Sequence, residues 1–397
     1  MKYIVLAIPG AADYPCDELT EKTPFEVAKL PHLHALAKIG RVGLVKLASD
    51  RLDPSSDVTL LNLLGYEADK VYTGRGPLEA ANLELKLEDN EIAFRMNFIT
   101  EADGKLADPT GGGLTTKEAR ALINFLNKKV ASDFVRFFAG SEYRHVAVLK
   151  DSHGFAALSA KTNSPEGIMG EPIDQHFPKG PGEELLKKLM FDAKLLLQDH
   201  EINQVRVDLQ ENPANMIWLW GQGPQPKIEK FADIYEVSSA MISATEYSKG
   251  VGRITGMSVF EIGKTPDQAE DLAAAAKVLQ EAVEEKDVVV LYLSDCDEAS
   301  RVGDLRAKIT AMEAIDAQII SKIREILDKK KDVRVLVTSN HAAPWKLGKH
   351  TKDPVPFVIA GKNVMPDDVE KFSEVTAKAS GWKLPNGREL MKSFLAK

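Results

Sequence analysis

Two runs near the end of the chain, KDVVVLYLS (286–294) and KDVRVLVTS (331–339), each begin with a Lys-Asp pair and continue as apolar, β-branched stretches. Between them lies DLRAKITAMEAIDAQIISKIREILDKKK, whose apolar residues recur at helical spacing and whose last turn is basic, as suits the helix dipole. Strand, helix and strand in this order are the parts of a βαβ crossover, in which the two strands run parallel under a cover of helices. The same alternation appears elsewhere. KYIVLAI reads as a first buried strand, TPFEVAKLPHLHALAKIG as an amphipathic helix broken by Pro31 and closed by Gly40, and DPVPFVIAG as a last strand. The expected class is α/β, with a mainly parallel sheet flanked by helices.

The middle of the chain has a different texture. TTKEARALINFLNKKV reads as a helix with a Thr cap, FVRFFAG and RHVAVLK as strands of a separate sheet, and GPGEELLKKLMFDAKLLLQDH as a further amphipathic helix. Gly/Pro punctuation falls near 74–77 and 221–226. With 397 residues, more than one core is expected. The pattern predicts a larger domain made of 1–77 and 246–397, with a smaller α/β domain, 78–245, inserted between its halves.

Composition excludes several classes of function. No window approaches the roughly 20 apolar residues that span a bilayer, so no membrane partner is expected. The formal charge is −8 and no basic cluster stands out, which argues against nucleic acid. Only Cys16 and Cys296 occur, too few for a disulfide framework and in keeping with a cytoplasmic location.

The stretch SNHAAPWKLGKHTKDPVPF (339–357) follows a buried strand and carries His341 and His350 nine residues apart. Many α/β enzymes present metal ligands in this way, although the residue before His341 is Asn340, where a divalent cation favours a carboxylate. Both histidines also read as ordinary loop residues. Ser56, in PSSDV, reads equally as a helix cap.

Collinear stretches along almost the whole chain carry a resemblance: GAADYP, KTPFEVA, GRVGLVK, SSDVTLLNLLGYEADKVYTGRGPLEAA, IAFRMNFIT, EYRHVAVLK, PANMIWLWGQG, KGVGRITGM, CDEASRVGD, AIDAQII and KHTKDPVPF. They resemble the archaeal-type 2,3-bisphosphoglycerate-independent phosphoglycerate mutases, a family that includes bacterial members proposed as homoserine kinases. The resemblance implies an alkaline phosphatase-like core with an inserted substrate-binding cap. It implies an isomerase of glycolysis that converts 3- to 2-phosphoglycerate through a phosphoserine, with two divalent metals, usually manganese.

Carried over residue by residue, it places Ser56 at the nucleophile and Asp297, His341 and His350 at metal ligands. Three further ligand positions hold other residues: Pro9 and Asn340 stand where the family has aspartates, and Arg301 where it has a histidine. Proline offers no ligand, asparagine no charge, and arginine is a permanent cation that repels a metal. Metal binding is therefore expected to be weak or absent, with Arg301 folding back onto Asp297. In the inserted domain Gly113, in DPTGGGLTT, stands in place of a family histidine. Arg75 (TGRGP), Arg144 (EYRHVAV) and Lys249 (SKGVG) are the cations expected to face a small phosphorylated metabolite across a cleft with Ser56, though the two arginines read equally as salt-bridge partners. Three functions stay open: an active mutase, a non-catalytic relative that binds a metabolite or protein partner, and another phosphotransferase such as a homoserine kinase.

Overall fold

The apolar run after Met1 forms the strand Lys2–Ala7, fully buried from Ile4 to Ala7, inside an eight-stranded sheet. This is a computed structural model, and it describes residues 1–150, 156–263 and 270–396, the side chain of Leu158 excepted. Across the sheet the order is Lys383–Leu384, Gly40–Val45, Val355–Gly361, Val333–Thr338, Lys2–Ala7, Val288–Tyr292, Ser239–Ser243 and Ser258–Glu261. The last five of these are parallel to one another. Val355–Gly361 runs antiparallel to both its neighbours. The two Lys-Asp strands are parallel, and Lys2–Ala7 lies between them, paired with each. Parallel alignment brings the carboxyl ends of three central strands, at Ala7, Tyr292 and Thr338, to one edge, where open α/β sheets hold their ligands.

The long helix expected between the two strands is interrupted. Leu305–Ile315 passes through a π-helical turn, Asp316–Ile320, into Ser321–Lys329. The Asp316 carboxylate accepts from the backbone N–H groups of His32 (3.1 Å) and Leu33 (2.7 Å). It thereby caps the helix Pro31–Ile39, whose own N-cap, Leu30, has no side-chain acceptor. Pro31 does divide the preceding pattern, into Pro24–Val27 and Pro31–Ile39.

The second compact unit is an antiparallel sheet in the order Lys105–Asp108, Glu91–Ala102, Arg144–Lys150 and Val135–Ser141, with Met216–Gly223 also paired to Glu91–Ala102. The helices Thr116–Lys129 and Glu183–Leu197 turn Leu122, Leu126, Leu186 and Met190 into a core with Phe94, Phe98 and Trp218. Thr115 caps the first of these helices in a reciprocal box with Glu118.

The units divide at Thr73 and Lys227, not at 78 and 245. Contacts near both limits agree with this division. At the first, the helix Arg75–Asn82 lies so close to the smaller sheet that a Cβ on Gly76 would stand 2.3 Å from the Ala93 carbonyl oxygen. At the second, Ser239–Ser243 pairs with Val288–Tyr292 in the larger sheet. Among the described residues no helix is long and apolar enough to cross a membrane.

Candidate active site

Three loops leave the carboxyl edge of the larger sheet and meet the start of the helix Ser56–Leu63. Ser56 is the first residue of that helix, and Ser55 holds the cap position. The Ser56 hydroxyl is thus not spent on capping; its Oγ lies 3.2 Å from Nε2 of His341. His341 stacks on His350 with ring centroids 3.8 Å apart. The Nδ1–H of His350 donates to the Pro54 carbonyl at 2.8 Å, and its Nε2 is 2.7 Å from Asp297 Oδ1. The same carboxylate oxygen is 3.8 Å from His341 Nε2. Asp297, His341 and His350 each present a ligand atom within 4.8 Å of the others, the one such group among the described residues.

Arg301 closes the other side of the carboxylate. It lies one turn after Asp297 on the helix Asp295–Arg301 and donates to Oδ2 at 3.1 Å. Burial alone would raise the Asp297 carboxyl. The charges of His350, His341 and Arg301 outweigh it and hold the group well below the usual carboxylate range. Burial likewise opposes a charge on His350, but Asp297 raises its pKa above the ordinary value. For His341 burial wins, helped by the neighbouring His350, and pushes it down to about 3.

Asn340 is fully buried and directs Nδ2 at the Ser56 carbonyl (3.2 Å), Thr59 Oγ1 (3.0 Å) and the Tyr292 hydroxyl (3.2 Å). Its Oδ1, like Nδ1 of His341, has no hydrogen-bond partner. Tyr292, a strand residue that the sequence reading passed over, also meets the Tyr247 hydroxyl at 3.1 Å. Its signal is faint: a hydroxyl in the last position of an otherwise aliphatic buried strand.

Pro9 sits in the turn after the first strand, buried and without a donor atom to offer. Gly10 follows at φ +70°, where a Cβ would stand 2.6 Å from the Asp297 Cα. Gly10→Ala is therefore expected to combine left-handed strain of about 1–2 kcal/mol with a push against the Asp297 helix. Urea unfolding should lose about 2 kcal/mol, and an unchanged midpoint would count against this account.

The other expected cations are held locally. Lys249, in the larger unit, pairs with Glu261 at 2.7 Å. In the smaller unit Arg75 donates to Glu79 at 3.1 Å, and Glu79 also takes Arg95. Arg144 donates to Glu142 at 2.6 Å and covers the Tyr143 ring at 4.3 Å. Gly113 is exposed at φ +67°.

The carboxyl edge of this α/β sheet thus gathers a serine, two histidines and an aspartate, donor types that can ligate a divalent ion. Comparison with known proteins narrows this. A family model described as 2,3-bisphosphoglycerate-independent phosphoglycerate mutase matches residues 37–203. The mutase of that name from Methanothrix thermoacetophila is 37% identical over 398 residues and spans all of both chains. That from Methanosarcina mazei is 34% identical, covering 98% of each. Among solved structures, one from Pyrococcus horikoshii superposes with a TM-score of 0.81 at 27% identity, covering 99% of this chain and 96% of that one. The cofactor-independent phosphoglycerate mutase of Thermoplasma acidophilum shares the fold, with a TM-score of 0.64 at 23% identity over 100% of this chain and 99% of that one. The chain belongs to the 2,3-bisphosphoglycerate-independent phosphoglycerate mutase family.

Proposed function

We propose that this member binds a small phosphorylated metabolite of the phosphoglycerate type and does not carry out the family's two-metal phosphoryl exchange. The observation that carries the reading is Arg301, which donates to Asp297 Oδ2 at 3.1 Å from a position where the family resemblance implies a histidine ligand. Two ions about 4 Å apart need two sets of hard donors. Pro9 supplies none, and Asn340 spends its amide N–H groups on Ser56, Thr59 and Tyr292, leaving one neutral oxygen. A guanidinium beside Asp297 adds a fixed positive charge where another cation would have to sit. The residues present do not fit a metal pair.

Two features favour anion binding over loss of all function. Ser56 keeps its hydroxyl against His341, and Asp297 raises the pKa of His350, which favours a positive charge beside it. Lys249, in the same unit as Ser56, is the further cation proposed to hold the phosphate or carboxylate. Calorimetric titration with 3-phosphoglycerate, run beside a coupled mutase assay in added manganese, tests this. Saturable binding without turnover is expected. Turnover at the ordinary enzymatic rate of about 1 s⁻¹ or faster would overturn the proposal.

A further inference from the structure

We infer that the smaller unit holds a binding site for a long-chain acyl carboxylate, in a trough between the helix Glu183–Leu197 and the turn that leads into the strand Val135–Ser141. The trough encloses about 740 Å³, within the range of about 300–1,000 Å³ found for small-molecule sites. All its lining residues belong to the smaller unit, whereas Ser56 belongs to the larger. The inference therefore does not rest on the metabolite reading.

The helix Glu183–Leu197 can form a wall because it has two apolar faces. Leu186, Met190, Ala193 and Leu197 turn inward to the core. Leu185, Leu189 and Leu196, at offsets of four and seven residues, make a second stripe that lines the trough. From Leu185 to Leu196 this stripe runs about 16 Å along the helix axis. Leu189 and Val135, both buried, form the floor. The remaining wall comes from the turn Ser132–Val135, closed by backbone hydrogen bonds in both directions at 3.0 and 3.3 Å. Phe134 lies within it; its N–H donates to Ser132 Oγ at 3.2 Å and its carbonyl accepts from the Lys150 N–H at 2.9 Å. With its backbone so fixed, the Phe134 ring stays 55% exposed, beside Leu185 at 49% and Leu195 at 63%. A hydrocarbon laid against these groups removes their apolar surface from water.

Charge selects the kind of ligand. Three lysines line the trough: Lys188 pairs with Asp192 and Lys150 with Glu88, while Lys129 has no ion-pair partner among the described residues. One uncompensated ammonium beside apolar walls matches one carboxylate on a hydrocarbon tail. Apart from the lysines, the polar lining side chains are Ser132 and Asp192. Those are too few for a sugar or nucleotide, whose many polar groups would be left unpaired. A second copy of the chain fits less well, because a two-fold contact sets the same lysines against one another.

The test uses the full chain and dodecanoate below its micelle concentration, titrated by calorimetry with no phosphoglycerate present. One saturable equivalent is expected. Decanoate, two methylenes shorter, should bind about tenfold more weakly. Dodecanol, the uncharged analogue, should bind about three- to fivefold more weakly. Lys129→Gln should weaken dodecanoate by that same factor and leave dodecanol unchanged. Leu185→Glu, at an exposed helix position, should weaken both ligands at least tenfold, with circular dichroism confirming its fold. If Leu185→Glu does not fold, the split between the two ligands in Lys129→Gln still decides. No saturable binding at millimolar dodecanoate, equal affinity for the two chain lengths, or a folded Leu185→Glu that binds as wild type would each overturn the inference. So would Lys129→Gln affecting both ligands alike or neither. A wild-type dimer in sedimentation that Leu185→Glu dissociates would assign the trough to a second copy instead. Binding to phosphatidylglycerol vesicles without binding of free dodecanoate would assign it to a membrane surface.

Discussion

Lys308→Met is expected to cost about 3–5 kcal/mol of folding stability, because it leaves a buried carboxylate without its cation. Lys308 lies on the helix Leu305–Ile315 with its side chain fully enclosed. Its ammonium donates to Asp13 Oδ2 at 2.5 Å and to the Ala343 carbonyl at 3.0 Å. Asp13 also accepts from the backbone N–H groups of Tyr14 (2.7 Å) and Trp345 (3.2 Å), which cannot replace a full charge. Methionine keeps most of the lysine's volume, so cavity formation contributes little and the loss measures the stranded charge. At about 2–4 °C per kcal/mol, the melting temperature should fall by about 10 °C. The double change Asp13→Asn with Lys308→Met removes both charges and should recover most of the loss. A single-variant loss below about 1 kcal/mol in urea unfolding would show that the pair is not the clamp described here. The clamp matters to the site: Ala343 also donates its N–H to Ala12 (3.1 Å), so the segment after His341 is tied to the loop after the first strand.

Much of this site could be read in the sequence, and the unread part has a common cause. Runs such as VVVLY and VRVLVT announce buried strands because both faces of a covered parallel sheet are apolar. Asp297, His341 and His350 were visible through the family's collinear motifs, and the structure brings them together. That Lys2–Ala7 lies between the two Lys-Asp strands was not legible, since strand order depends on which edges pair and leaves no local pattern. The antiparallel course of Val355–Gly361 was hidden for the same reason. Lys308 did carry a signal. It shares the buried stripe of Met312 and Ile315, at offsets of four and seven residues, so the periodicity places a lysine on the apolar face. Its partner, Asp13, lies 295 residues away, and no single-chain pattern links the two. Polar groups buried by long-range pairing are where a local reading stops.

Glu374→Gln should stabilise the protein at pH 8 and leave it nearly unchanged at pH 5. Glu374 opens the helix Glu374–Ala379, with its carboxylate turned inward to accept from the Asp13 N–H (3.0 Å) and the Thr23 hydroxyl (2.6 Å). Burial dominates its titration and, against those two hydrogen bonds and the charge of Lys308, pushes the carboxyl up to about 7 from an ordinary 4.5. A folded pKa above the unfolded one means that the native state binds the proton more tightly. The contribution to stability is therefore complete below about pH 4.5 and is lost as pH rises through about 7. The loss across that window is on the order of 3 kcal/mol. Glutamine has the same shape and no charge to bury. Its Oε1 can accept from Asp13, and its amide N–H can donate to the Thr23 oxygen in place of the reverse bond. Many other carboxylates, Asp297 foremost, impose the opposite slope on the whole protein, so the informative quantity is the difference between variant and wild type at each pH. Urea unfolding at pH 5, 6, 7 and 8 should show that difference growing in favour of Glu374→Gln and levelling above pH 7. A difference that is the same at every pH would mean that Glu374 enters the folded state already ionised, held by Thr23 and Asp13 strongly enough to overcome its burial.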